Sequence, residues 1–209
     1  MWWARSCRST VAILPAELAP TIDGADAVLV FADLQPALVA RSRTASGEAI
    51  EAGAAALAQA AVIFGWPMLF SVVAVDGEPP AHLPPLADHA ANGNSFTRSC
   101  ARPFGDDAFV RALKETGRRT LIIAGYSAEA VIQYLALDGI ANAYRVVVAL
   151  DASGARSART EAAALRRIER AGATVTSVAD ILQSAEPDMA SRRGRETFAV
   201  VPAFMGKDY

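Results

Sequence analysis

Short, wholly apolar runs that alternate with longer helix-like patterns are the feature of this 209-residue chain that most restricts its fold. The runs VLVF, LIIA and VVVAL carry an apolar side chain at every position, so both faces of each strand are expected to be buried. Strands of this kind are typical of a parallel sheet that is covered by helices on both sides. We therefore predict an α/β fold, a three-layer α/β/α sandwich built on a six-stranded parallel sheet.

Periodicity along the chain gives the order of the elements. Strands are predicted over 27–32, 68–73, 95–98, 120–124, 145–150 and, more weakly, 174–177. Helices are predicted over 47–64, 106–116, 128–140 and 158–171. We predict one domain over 26–188, preceded by an N-terminal arm at 1–25 and followed by a C-terminal tail at 189–209.

The two ends of the chain have separate expectations. In the arm, Pro15 and Glu17 interrupt the apolar patch, so a signal peptide is not expected and the chain is predicted to be cytoplasmic. The tail passes through the basic stretch SRRGRE, where no helix is expected, into an apolar segment. Residues 198–205, together with Trp2 and Trp3, are predicted to pack across a subunit interface, and docking on the chain's own domain is the alternative.

Composition and short motifs limit the classes of partner and cofactor that the chain is expected to bind. Twenty basic and 22 acidic residues give a net charge of −2, which does not favour binding to nucleic acid or to a membrane. Cys7 and Cys100 are too few for a disulfide framework. His82 and His89 lie in a Pro-rich loop without a recognisable metal-ligand spacing, and neither GxGxxG nor a P-loop occurs. We predict no metal and no cofactor, and expect a small molecule as the ligand.

Ligands of open α/β sheets bind outside the carboxyl ends of the strands, so the residues after each strand are the candidates for a site. They are Asp33 and Gln35, Arg98, residues 127–131 and residues 151–154. Asp33 is either a turn-capping carboxylate or a general base or orienting group. Arg98 is either a surface cation or a charge that pairs with Asp33 or lowers the pKa of a neighbour.

The segment GYSAEAV at 125–131 joins a strand directly to a helix. The first N–H groups of such a helix point at the cleft and form an oxyanion or anion site, which also activates a thiol placed there. Val131 occupies that turn, and an aliphatic side chain cannot attack, protonate or coordinate anything. Cys100 has suitable chemistry but stands elsewhere, and buried filling is the alternative for it.

These residues resemble the isochorismatase-like cysteine hydrolases, a superfamily that includes nicotinamidases and carbamoyl-amide hydrolases. The likeness extends over about residues 26–180. It rests on Asp33 with Gln35, on Arg98 with Phe104, on DDAFVRALKETGRRTLIIAG and, most specifically, on DASGARSARTEAAALRRIERAGATVTS. Arg98 stands where most of the family has a catalytic lysine.

The resemblance implies a site. The family pattern GxxTExCV places its Glu at Glu129 and its nucleophilic Cys at Val131, with a non-proline cis peptide at Ser127–Ala128. Asp33 and Arg98 are then the remaining two members of a triad, and Ser127 and Ala128 belong to the oxyanion region. Gln35, Phe104, Tyr126 and Tyr134 are expected to line the pocket.

Three functions stay open on this basis. The chain is a family member without cysteine-dependent amidase activity that binds a ligand or serves assembly, in effect a pseudoenzyme. Alternatively it is a cysteine-independent hydrolase, as in the vinyl-ether-cleaving isochorismatase branch, with Asp33 as general acid. A third possibility is an unusual nucleophile at Ser127 or Cys100. The family also implies a homo-oligomer, a dimer or higher.

Overall fold

The fold is built on six parallel strands in the order β3-β2-β1-β4-β5-β6, in a computed structural model that describes residues 22–204, excepting the side chains of residues 203 and 204. The strands are β1 (Ala27–Ala32), β2 (Met68–Val72), β3 (Ser95–Thr97), β4 (Thr120–Tyr126), β5 (Arg145–Gly154) and β6 (Thr174–Thr176). The predicted six-stranded parallel sheet is confirmed. The order reverses between β1 and β4, which places a crevice at their carboxyl ends.

Helices flank the sheet on both sides. They are α1 (Pro36–Val39), α2 (Gly47–Phe64), α3 (Pro84–Ala87), α4 (Asp107–Glu115), α5 (Gln133–Ala141), α6 (Ala158–Arg170), α7 (Val178–Ala185) and α8 (Arg192–Phe204). A 3₁₀ turn covers Pro103–Gly105, and a π-helical turn over Ala128–Ile132 leads directly into α5. The four predicted helices are present within a few residues, whereas α1, α3, α7 and α8 were not predicted.

Strand β1 shows how the two apolar layers form. Its six residues are all buried, and alternate side chains face opposite sides of the sheet. Leu29 and Phe31 belong to the core cluster that includes α2, whereas Val28, Val30 and Ala32 belong to the cluster that includes α4 and α5. This two-sided burial explains why the strand is apolar at every position.

Helix α2 packs closely on the sheet because it is rich in alanine and glycine. A Cβ added at Gly53 would lie 2.5 Å from the backbone oxygen of Asp151 in β5, so a side chain there would push the helix away. By length and composition alone α2 could also cross a membrane, whereas no apolar run of that length was expected from the sequence. In this fold its buried face forms part of the core, as in many core helices.

The C-terminal tail forms a helix, so the expectation of no helix in SRRGRE is wrong. Helix α8 begins at Arg192, the Gly194 N–H donates to Ser191 Oγ at 2.8 Å, and Arg192 pairs with Glu196 one turn later. Val200 and Val201 are buried in the same cluster as α2. The tail therefore docks at least partly on its own domain, the alternative given above.

Phe198 of the same helix remains 43% exposed, so its predicted place in a subunit interface stays a prediction. Trp2, Trp3 and Met205 lie outside the described residues.

Candidate functional site

Asp33 and Arg98 form a buried, bidentate ion pair at the carboxyl ends of β1 and β3. Arg98 Nη1 donates to Asp33 Oδ1 at 2.7 Å, and Nη2 donates to Oδ2 at 2.6 Å. The Arg98 side chain is 3% exposed and the Asp33 side chain is 9% exposed. Of the alternatives for Arg98, pairing with Asp33 is the one observed, and the surface-cation interpretation is wrong.

The backbone holds both partners in place. The Asp33 N–H donates to the Ser71 carbonyl at 2.8 Å, and the Arg98 N–H donates to the Val72 carbonyl at 2.9 Å, so β2 lies between the two residues. Asp33 has a φ of 56°, a left-handed conformation that Asp tolerates better than most residues. The chain turns sharply there, which directs the carboxylate towards Arg98. Among the described residues the Asp33 carboxylate accepts hydrogen bonds only from Arg98, so no turn-capping role is seen.

Opposing effects act on the Asp33 carboxyl. Burial raises the pKa of Asp33 above its ordinary value, whereas the hydrogen bonds and the positive charge of Arg98 act to lower it. Because both carboxylate oxygens accept from the guanidinium, the geometry is that of an ionised carboxylate. Arg98 Nε is buried and has no hydrogen-bond partner among the described residues, so one donor of the pair is free.

Ser71 is a site residue that the sequence analysis did not identify. Its hydroxyl lies 3.1 Å from Arg98 Nη1 and is fully buried. The signal was a single polar residue within the apolar strand MLFSV. Ser71 pairs in register with Ala32, and partners in a parallel sheet project to the same face. The guanidinium therefore reaches the face of the sheet that Ala32 shares with Val131.

Val131 lies on the π-helical turn that follows β4 and is 1% exposed. It packs in the apolar cluster that contains Ala32 and Ala128. Gly125, at the end of β4, sits so close to the Ala32 carbonyl that a side chain would collide with it. A close approach of β1 and β4 therefore brings the start of this helix to the end of β1.

The cis peptide is at Tyr126–Ser127, one bond earlier than predicted. The Ser127 carbonyl already accepts from the N–H groups of Ala130 and Ile132, so the Ser127–Ala128 peptide belongs to the helical turn. Ser127 is buried, and its side chain makes no capping hydrogen bond. The Tyr126 hydroxyl is buried without a partner among the described residues.

The other three residues predicted to line a pocket are engaged in contacts of their own. Gln35 Nε2 donates to the Val73 carbonyl at 2.8 Å, and its Oε1 accepts from the Val73 N–H at 3.0 Å, so Gln35 ties the turn after Asp33 to the end of β2. Phe104 packs edge-on against Phe109 and Tyr144.

Tyr134 lies under the guanidinium of Arg102, whose carbon is 5.2 Å from the ring centroid. Arg102 also forms a two-pronged ion pair with Asp138 of α5. These contacts fasten the loop that follows Arg98 to α5. Arg102 and Asp138 were not among the predicted site residues, and their separation of 36 positions gave no signal in the sequence.

Residues 151–154 were expected after the fifth strand, but they form the last part of β5, where two of them support the scaffold. Asp151 Oδ1 accepts from the Val178 N–H at the start of α7 at 2.7 Å, and burial raises the pKa of Asp151. Ser153 Oγ donates to the Ala149 carbonyl and accepts from the Gly125 N–H. Glu129 Oε1 accepts from the Arg156 N–H at 3.0 Å, which joins the π-helical turn to the loop before α6.

Metal binding finds no support among residues 22–204, which contain no group of three or more His, Cys, Asp or Glu placed to hold an ion. His82 Nε2 instead lies 3.0 Å from the Ser95 hydroxyl, and burial lowers the pKa of His82.

Cys100 is exposed, so the prediction that it fills space in the core is wrong, and its Sγ donates to the Arg102 carbonyl. Cys7 lies outside the described residues.

The fold and the ion pair define a class, the parallel α/β sandwiches with a buried carboxylate–guanidinium pair at the carboxyl ends of the strands. The isochorismatase domain family model matches residues 27–180, and the chain belongs to that family. The predicted membership is confirmed.

Two relatives are similar over most of the chain. The chain is 29% identical over 157 residues to the probable hydrolase YcaC of Escherichia coli strain K12, across 73% of this chain and 74% of that protein. The solved structure of E. coli YcaC, an octameric hydrolase of unknown specificity, superposes with a TM-score of 0.78 and 25% identity over 90% of each chain. YcaC from Pseudomonas aeruginosa, with hexane-2,5-diol and covalent acrylamide, gives a TM-score of 0.82 and 25% identity over 88% of this chain and 91% of that one.

Proposed function

We propose that this chain is an isochorismatase-family protein that binds a small molecule at the carboxyl ends of β1, β3 and β4 but lacks cysteine-dependent amidase activity. The observation that carries the proposal is Val131, an aliphatic and buried residue at the position that the family pattern assigns to the nucleophile.

Loss of the nucleophile from a catalytic triad lowers the reaction rate by many orders of magnitude. In another hydrolase, removal of the nucleophile of a cooperating triad lowers kcat by about 10⁶, and the oxyanion site and substrate binding leave about 10³ to 10⁴ over water. At Val131 no atom can form a covalent bond to a carbonyl carbon. The first turn of the helix can still hold an anionic or carbonyl oxygen, which favours binding over turnover.

The geometry of Asp33 agrees with this interpretation. A general base needs a free lone pair directed at the proton that it removes. In the described structure both oxygens of Asp33 accept from Arg98, so the carboxylate is committed to the ion pair. The same commitment argues against Asp33 as the base for a serine nucleophile at Ser127.

A second candidate function is a cysteine-independent hydrolase in which Asp33 is the general acid. One observation favours it, because burial raises the pKa of Asp33, as an acid requires. A protonated carboxyl would however direct its proton at a guanidinium donor. This mechanism therefore needs Arg98 to move when substrate binds.

Activity measurements on matched variants test the proposal. We expect the wild-type chain to leave nicotinamide and N-carbamoyl amides unhydrolysed, and Val131→Cys to gain slow, iodoacetamide-sensitive hydrolysis. Val131→Ala removes the same methyl groups without adding a thiol, and is the control. Wild-type hydrolysis that Asp33→Asn abolishes would refute the lack of activity and support the acid mechanism.

Ligand binding has its own test. We expect at least one small carboxamide, beginning with nicotinamide, to raise the melting temperature of the wild-type chain, because a ligand that binds only the folded state stabilises it. The same compound is expected to lose its effect on Arg98→Met. If carboxamides and vinyl ethers all fail to shift the wild-type melting temperature, the binding function is wrong.

Assembly, location and domain boundaries are parts of the proposal. We propose a homo-oligomer, supported by the octameric E. coli YcaC, and a cytoplasmic location. Phe198→Ala is expected to lower the mass measured by light scattering if the outer face of α8 lies in a subunit interface. We keep 26–188 as the proposed family domain, although a truncation at Asp188 would also expose the core that Val200 and Val201 cover.

A further inference from the structure

The side chains of the strand-end site are closed off from solvent. Asp33, Arg98, Ser127 and Val131 are all buried. A small molecule that reaches them must therefore pass a part of the chain that opens. In many proteins that part is a loop that covers the site and moves to admit the ligand.

Residues 99–102, the lid segment, cross the carboxyl edge of the sheet. The segment starts after β3, at one edge of the sheet, whereas α5 follows β4, three positions along in the order β3-β2-β1-β4. Its last residue, Arg102, contacts α5, so the lid segment passes the ends of β2 and β1. Three strand spacings measure about 14 Å, and four extended residues span about the same distance.

Both ends of the lid segment are anchored, and the part between them is exposed. Before it, the Arg98 N–H donates to the Val72 carbonyl at 2.9 Å, and after it Pro103 is buried. Residues 99–102 themselves are all exposed. Burial therefore fixes the ends of the lid segment, whereas its middle depends on surface contacts.

Those surface contacts come from one side chain. Among residues 22–204, Arg102 alone makes hydrogen bonds or an ion pair from the lid segment to α5. Its Nε donates to Asp138 Oδ2 at 3.1 Å, its Nη2 donates to Oδ1, and its guanidinium lies over the Tyr134 ring. The side chain of Arg102 is 55% exposed. Exposed ion pairs and cation–π contacts are individually weak, so the contact to α5 can break and re-form readily.

We propose that Arg102 is a positioning residue for the strand-end site. It holds the lid segment closed across the ends of β1 and β2, and a ligand enters when the guanidinium leaves Asp138 and Tyr134. The inference rests on the proposed function for the location of the site. Because the lid segment begins next to Arg98, its closed position also shields the buried ion pair from water.

The alkylation rate of a thiol at position 131 measures opening of the lid segment without any ligand. In Val131→Cys, peptide mass spectrometry after brief treatment with iodoacetamide separates the new thiol from Cys7 and Cys100. We expect added Arg102→Ala to raise the alkylation rate about threefold to thirtyfold, the combined range for an exposed ion pair and an exposed cation–π contact. Arg102→Lys keeps the charge and is expected to restore part of the protection.

Arg119→Ala is the matched control. Arg119 forms an exposed ion pair with Asp26 at 3.6 Å, at the opposite, amino-terminal edge of the sheet, so its removal should leave the rate unchanged. Salt gives a second readout. Raising NaCl from about 0.05 to about 0.5 M should speed alkylation of Val131→Cys but not of Val131→Cys, Arg102→Ala, because salt screens an exposed ion pair.

Asp138→Asn tests the same contact from α5. We expect it to speed alkylation less than Arg102→Ala does, since the contact with Tyr134 remains. Equal rates with and without Arg102→Ala would overturn the proposal. So would equal acceleration by Arg119→Ala, because the cause would then be lower overall stability.

The alkylation experiment is separate from the tests of ligand binding. If carboxamides and vinyl ethers fail to bind while Arg102→Ala speeds alkylation, the proposed function is wrong and the role of the lid segment is supported. If a carboxamide binds while Arg102→Ala leaves the alkylation rate unchanged, the role of the lid segment alone is wrong.

Discussion

The buried pair of Asp33 and Arg98 allows a prediction whose size follows from the geometry. Replacement of Asp33 by Ala leaves a guanidinium whose side chain is 3% exposed without its counter-ion. At about 4 Å and an effective dielectric constant of about 20, the lost attraction is about 4 kcal/mol. Breaking one side of a buried pair typically costs about 3–5 kcal/mol.

A chain of this size loses about 2–4 °C of melting temperature per kcal/mol, so Asp33→Ala is expected to melt about 6–20 °C below the wild type. Urea unfolding followed by circular dichroism, at one fixed protein concentration, measures the free energy. The fixed concentration is needed because subunit association would itself shift the midpoint.

The double variant Asp33→Ala, Arg98→Met is the control. It removes both charges, so we expect it to be more stable than Asp33→Ala alone, with a coupling energy of about 0.5–3 kcal/mol, as for residues in contact. A loss below about 1 kcal/mol for Asp33→Ala is the range of exposed ion pairs. That result would show that water reaches the pair in solution, and the description of the ion pair as buried would be wrong.

Three further predictions concern packing and protonation. Gly53→Ala should cost about 1–3 kcal/mol in urea unfolding because its Cβ would meet the Asp151 carbonyl, whereas Gly47→Ala, with its nearest such contact at 3.6 Å, should be nearly neutral. Burial raises the pKa of Asp151, so its contribution to stability is full below the unfolded-state value and is lost as pH rises through the folded-state value. Relative to Asp151→Asn, which keeps the hydrogen-bond acceptor, the wild type should lose stability over that rise, and parallel curves would contradict the assignment. Carbon-13 NMR should show the pKa of Asp33 rising further in Arg98→Met, since the hydrogen bonds that oppose the effect of burial are removed. An unchanged or lowered value would contradict it.

The central fold could be predicted because strands that are buried on both faces have an apolar residue at every position. The bounds of β1 and α2 agree with prediction at every residue. Helix α8 was missed because its first turns are rich in arginine and its apolar residues begin only at Phe198, so no helical apolar stripe runs along its length. Here tertiary packing on α2, rather than local periodicity, decides the structure.

The candidate site was predictable in part. The rule on strand ends identified Asp33 and Arg98, and pairing was among the alternatives, but a separation of 65 positions gives no distance. Gln35 was expected in the pocket, yet its side-chain amide forms two hydrogen bonds with the Val73 backbone. That contact depends on how the turn after Asp33 folds back on β2. Sequence identifies residue types at an edge of the sheet, whereas their hydrogen bonds depend on backbone geometry.

The ion pair also determines what restoring a thiol can achieve. In Val131→Cys the start of the helix favours the thiolate, but Asp33 keeps both oxygens on Arg98 and cannot readily accept the thiol proton. Arg98→Lys replaces a two-pronged donor by a single ammonium, which frees one carboxylate oxygen.

We therefore expect Val131→Cys, Arg98→Lys to react with iodoacetamide faster at neutral pH than Val131→Cys, and the pH dependence of alkylation to shift to lower pH. Arg98→Lys with Val131 retained is the control for reaction at Cys7 and at the exposed Cys100. If the two thiol variants react alike, Asp33 does not govern the protonation of residue 131. The side chains would then not form one site, and the assignment of Val131 to the nucleophile position would lose its main physical support.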